Sequence, residues 1–174
     1  MNRKILGIIV AFLALAMLTV PVMAKPAEKV TFTAIQIPIP QPPPPGSISV
    51  SNGDIVHGKN LPGAGTIKLW IDSAPPATPT YTGTSSALLI YNINLKTGEG
   101  PVKFKMTWTF ATGTFEGNIL GGIADLSGPG MNAFVDCHGV LHGTGEFEGQ
   151  IIQIAGEKPV GQPFTWTGTI VIPK

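Results

Sequence analysis

The chain has 174 residues, 43% of them hydrophobic and only 12% charged, with a formal net charge of +1. That apolar share excludes an intrinsically disordered chain, and the length suits one domain with a substantial core. Arg3 is the only arginine, so the bidentate contacts and basic patch of a nucleic-acid binder are not on offer, and no nucleic-acid partner is expected.

In chain order, residues 1–24 read as a secretory signal helix. Arg3 and Lys4 form a positive start, Ile5 to Val20 is an apolar run, and Pro21 ends any helix. Val22 and Ala24 then stand at the −3 and −1 positions of a cleavage site before Lys25. The expected location is secreted or cell surface. An uncleaved segment is the alternative and the only expected contact with a membrane, because the apolar run is long enough to span one.

Residues 28–37 form a first strand with Val30, Phe32 and Ala34 on one face. Pro38 to Gly46 is proline-rich and lacks most amide donors, so it reads as a stiff extended linker. Residues 47–66, rich in Gly, Asn and Ser, read as a loop leading to a strand at 66–72, and 74–79 is a second proline loop. A strand over 86–96 puts Leu89, Tyr91, Ile93 and Leu95 on one face. Phe104, Met106, Trp108 and Phe110 then alternate with Lys103, Lys105, Thr107 and Thr109, which predicts one buried face and one wet face. Further strands are predicted at 114–123, 132–141, 145–155 and 163–172, with a loop at 124–131 and a turn at 142–144. Phe115-Glu116-Gly117-Asn118 echoes Phe147-Glu148-Gly149-Gln150, which hints at two similar hairpins.

The fold class expected is all-β. It is an antiparallel closed barrel of about eight strands, preceded by the signal helix and the proline-rich linker. The domain boundaries are 1–24 for the signal peptide, 25–37 for an N-terminal strand, 38–47 for the linker and 48–174 for the barrel domain.

The stretch from His138 to Gln150, with Met106 to Phe110 and Gly113 to Gly117 upstream, resembles a group of secreted archaeal small β-barrel proteins of uncharacterised function. The Gly143-Thr144-Gly145-Glu146-Phe147 element also resembles the barrels of dirigent proteins and allene oxide cyclases. Those resemblances imply a closed eight-stranded barrel, often a homo-oligomer, that holds an apolar ligand inside. They carry over no catalytic residue.

Two residue sets are candidates for a site. Phe104, Trp108, Phe110, Phe164 and Trp166 either fill the barrel or line an apolar ligand cavity. Asp136, His138 and His142 share a strand parity and have the ligand chemistry of a divalent-metal site, unless the predicted turn at His142 breaks that parity. Glu146 and Glu148 flank Phe147 and read as a solvated face. Cys137, the only cysteine, excludes an internal disulfide and is expected buried and inert. No phosphate loop, dinucleotide fingerprint or nucleophile elbow occurs, so no cofactor and no catalytic residue is assigned. The expected function is a non-enzymatic exported barrel that binds a small apolar ligand or acts at the cell surface. One alternative is a self-assembling surface subunit that exchanges residues 28–37 between chains. Another is a barrel enzyme of the cyclase or isomerase type.

Overall fold

The computed structural model describes residues 26–125 and 133–174. The signal segment 1–24 and the Gly128-Pro129-Gly130 loop lie outside the described residues. Among the described residues there are nine strands and no helix: β1 (Glu28–Ile39), β2 (Ile48–Ser51), β3 (Ile55–Ile71), β4 (Tyr81–Asn94), β5 (Gly100–Thr109), β6 (Gly113–Asp125), β7 (Ala133–Gly145), β8 (Ile151–Lys158) and β9 (Phe164–Ile172). Each of β3 to β9 pairs antiparallel with its neighbour in sequence, and β1 lies between β9 and β3. Eight strands thereby close into a barrel, and β2 is an added hairpin arm on β3.

Closure follows from alternation. On β1 the inward residues are Phe32, Ala34 and Gln36, and on β5 they are Val102, Phe104, Met106 and Trp108. The outward partners on β5 are lysines and threonines, so a single pleated strand separates core from water. The strands are staggered. Pairing partners traced from Ile71 pass through Phe32, Gly168, Ile154, Gly139, Ile119, Phe104 and Leu89, and return to β3 at Leu61, ten residues away. Such a stagger over eight strands corresponds to a tilt of roughly 40°. Gly168, Ile154, Gly139 and Ile119 are successive members of this row, so glycine alternates with bulk. Gly139 cannot carry a Cβ, which would lie 2.2 Å from the Asn118 carbonyl oxygen.

One end of the barrel is plugged by aromatic rings. Phe110, Tyr81 and Phe147 pack edge-on or tilted at 5.3–5.9 Å, and Phe115 stacks on Phe147 at 4.6 Å. The second proline loop folds back over the outer wall, where the Trp70 indole donates to the Ala77 carbonyl at 2.6 Å.

Several elements differ from the sequence reading. The Gly/Asn-rich stretch 47–66 is not a loop. It forms β2 and the first half of β3, with a bulge between Gly58 and Leu61. β4 starts at Tyr81 and stops at Asn94, so Leu95 is outside it and 49% exposed instead of inward. The turn expected at 142–144 falls at 146–149, because β7 continues to Gly145, whose φ of 67° suits a glycine there. The two Phe-Glu-Gly echoes therefore occupy different structures, a strand at 115–117 and a tight turn at 147–149. β1 keeps pairing through Pro38 and Ile39 before the proline stretch leaves the sheet.

Since β1 supplies both closing edges, Phe32→Ala is expected to cost about 3–5 kcal/mol in chemical denaturation. Removal of residues 26–46 is expected to abolish the cooperative thermal transition seen by circular dichroism. A remainder that stays folded but no longer self-associates would instead mean that 28–37 is exchanged between chains.

Candidate functional site

Among the described residues, no such plug closes the other end of the barrel. There β1 and β8 finish and β7 and β9 begin. A cavity of about 180 Å³ opens among Gln36, Pro38, Pro40, Gly63, Ala87, Leu89, Phe104, Met106, Phe134, Lys158 and Phe164. Its origin is an uneven distribution of side-chain volume. Gly63 and Ala87 are paired across β3 and β4 and put almost nothing into the interior, while Met106 and Phe104 are the next inward residues on β5. Phe134 packs between Phe104 and Phe164 at 5.3 and 5.1 Å, which makes one wall an aromatic cluster.

The predicted cavity residues divide by depth. Phe104 and Phe164 line the opening. Trp166 lies beneath, stacked on Phe164 at 4.9 Å, and Trp108 packs against Trp166 at 6.5 Å and Phe32 at 6.4 Å. Phe110 belongs to the plug at the far end. All five are buried.

Two polar side chains in the cavity wall were missed. Gln36 is 6% exposed and accepts a hydrogen bond from the Trp166 indole at 3.0 Å. Lys158 is 3% exposed, and its ammonium sits 5.9 Å from the centre of the Phe134 ring, its cross-strand partner. Burial pushes the Lys158 ammonium below its ordinary 10.5, because the charged form is the one that loses hydration. The signal was present for both. The parity of Phe32 and Ala34 continues to Gln36, and that of Ile152 and Ile154 continues to Lys158.

The candidate metal residues lie on the outer wall. Asp136 sits in a β7 bulge between Phe134 and Cys137, with φ at 50°, and its carbonyl accepts from His138 Nδ1 at 2.9 Å. His142 is within β7, not at a turn, and faces outward like His138. Four residues along a strand separate the two backbones by about 13 Å, too far for both rings to reach one ion. Among the described residues, no three His, Cys, Asp or Glu side chains are placed together to hold a metal. A broad depression of about 500 Å³ beside Asp136 and His138, bordered by Glu157, Thr165 and Thr167, is a feature of this same outer surface.

The hairpin arm carries a hydrogen-bonded relay that the sequence reading treated as a motif-free loop. Ser51 Oγ lies 2.6 Å from His57 Nε2, and His57 Nδ1 lies 2.6 Å from Asn92 Oδ1. The order of groups is that of a nucleophile, a base and an orienting amide. None of the three lines the cavity, and the asparagine is exposed. His57 and Asn92 are directly paired across β3 and β4, so the relay also ties the arm to the sheet.

Glu146 and Glu148 are exposed on either side of buried Phe147, as expected. Cys137 is buried and unpaired in a disulfide, also as expected. Its thiol is pushed up to about 12, first by burial and then by the charges of Asp136 and Glu157. No family model, curated protein or solved structure matches the chain.

The Cys137 shift makes two predictions. A thiol reagent at about pH 8 should leave the folded protein unmodified and label the unfolded protein fully, by mass spectrometry. The folded thiol titrates above the unfolded one, so its stability contribution is intact below 9.0 and falls as pH rises towards about 12. The stability advantage of wild type over Cys137→Ala should therefore shrink between about pH 8 and about pH 10.5 in urea denaturation.

Proposed function

We propose that this chain is an exported binding protein that takes one small apolar ligand at the open end of its barrel. The observation that carries the reading is the pairing of Gly63 and Ala87 opposite Phe104, Phe134 and Phe164. Small residues there forgo packing that would otherwise stabilise the fold, and they leave an aromatic-walled space of about 180 Å³. An apolar cavity of about 150 Å³ is enough for a benzene ring, so the fitting ligand has a single ring or a short aliphatic chain. Binding is favoured over catalysis because the Ser51–His57–Asn92 relay stands outside this space. Export rests on the signal pattern of residues 1–24, and protein recovered from its host's secreted or envelope fraction should begin at Lys25.

The test is a substitution that fills the space. Ala87→Phe is expected to abolish the shifts that small aromatic ligands induce in the amide NMR signals of residues 104, 134 and 164, while leaving the melting temperature unchanged or raised. Unchanged ligand shifts in Ala87→Phe would reject the open end as the site.

A further inference from the structure

Ser51, His57 and Asn92 form a hydrogen-bonded chain with a fixed direction. Asn92 Oδ1 can only accept, so the His57 Nδ1 that it meets at 2.6 Å carries the ring proton. A neutral imidazole has one such proton, which leaves Nε2 as a bare acceptor for the Ser51 hydroxyl, also at 2.6 Å. That is the resting state of a serine nucleophile beside its general base, with an amide holding the base in the productive tautomer. A contact that merely ties the arm to the sheet needs no particular tautomer. Register brings the three together. His57 pairs with Asn92 across β3 and β4 and with Ser49 on β2, and Ser51 ends β2. Ser51 and His57 are half-buried, and the turn that follows Ser51 is exposed at Asn52 and Gly53. Asn52 has φ at 51° and Gly53 at 71°, and the Asp54 N–H closes the turn on the Ser51 carbonyl at 3.3 Å. The chain thus bends sharply straight after the serine, and the next amide belongs to an exposed residue. The amide that follows a nucleophile is a common donor to the oxyanion of acyl transfer.

We propose that the hairpin arm is a second functional site, separate from the cavity, at which Ser51 hydrolyses small unhindered carboxylic esters. Ser51 Oγ bonds to the ester carbonyl carbon as its proton passes to His57 Nε2, and the carbonyl electron pair moves onto oxygen. Return of that pair expels the alcohol, which leaves with the proton from Nε2. Water then attacks the acyl-serine by the same route: one of its protons goes to Nε2, its oxygen bonds to carbon, and Ser51 Oγ leaves with that proton. Ester and water become acid and alcohol, with no further reactant. Ser51 and His57 are the catalytic residues. Asn92 is a positioning residue that acts through His57. The trio stands on the arm and not in the aromatic cavity, so ease of attack at the carbonyl selects the substrate: an open acyl group with a good leaving alcohol.

The experiment treats the purified protein with a fluorophosphonate, maps the modified residue by peptide mass spectrometry, and follows hydrolysis of p-nitrophenyl acetate. The label is expected on Ser51, with saturable hydrolysis above the buffer rate. Ser51→Ala and His57→Gln are each expected to lower kcat/KM at least about hundredfold. Asn92→Leu is expected to lower kcat with KM unchanged, and Asn92→Asp to restore it, because a carboxylate also accepts from Nδ1–H. Thermal unfolding followed by circular dichroism checks that each variant is folded. Absence of label from Ser51 in wild type overturns the proposal, and that measurement needs no variant. Hydrolysis by wild type no faster than by Ser51→Ala overturns it as well. Neither result bears on the ligand-induced shifts that test the cavity.

Discussion

Everything in this protein depends on a first strand that must meet two partners at once. β1 is bonded to β9 on one side and β3 on the other. Without it the sheet is open, and β3 and β9 present unpaired edges. The register of that double pairing also sets the stagger of ten residues, and the stagger sets the barrel's width and the level at which each inward side chain sits. Gln36 reaches Trp166 only because Ala34 pairs with Trp166 and Gln36 with Phe164. The Trp166–Gln36 hydrogen bond at this end is thus a consequence of closure, not a separate device.

The interior shows how one scaffold is filled at one end and left open at the other. Aromatic rings in edge and stacked contacts complete the plug around Phe147, while the turn at 146–149 brings Phe147 itself back over the barrel end. At the opposite end the chain leaves β1 as prolines, and among the described residues no aromatic turn like that of Phe147 comes back over the space. A barrel of eight strands has just enough interior for side chains or one small molecule, so a pair of small residues on β3 and β4 decides which. Two indoles, Trp166 stacked on Phe164 and Trp108 against Trp166, fill the barrel interior beyond the cavity lining.

Much of the fold was legible because buried and wet residues alternate. β5 and β9 stand where their periodicity puts them, and the inward faces of β1 follow from Val30, Phe32 and Ala34. Legibility failed where local composition contradicts a tertiary pairing. The segment from Ile48 to Leu61 is rich in turn-forming residues, yet it is strand because β4 extends alongside it and offers a ladder to complete. β7 outran its expected turn at 142–144 for the same kind of reason, since a glycine inside a strand, such as Gly143, looks like a break until a close neighbour explains it. A Cβ at Gly143 would lie 2.0 Å from the Phe147 carbonyl oxygen. The site was half legible. Aromatics pointed to the interior, but alternation was not followed to the strand ends, where Gln36 and Lys158 occupy inward positions that polar residues rarely take. The Ser51–His57–Asn92 relay was beyond sequence, because its members meet only through the register of three strands.

The proline stretch has a consequence for how this molecule behaves in a crowd. Pro38 and Pro40 border the open end, and the run continues from Pro42 to Pro45. Proline has no amide hydrogen, so this rim has few donors with which to recruit a foreign strand. Closure leaves the barrel strands without a free lateral edge, so the chain segments that leave the barrel are where a neighbour could pair. Here the border that frames the opening is also sterile toward β-sheet growth. The prolines around this end add none of the donors that a foreign strand would need to extend the sheet there.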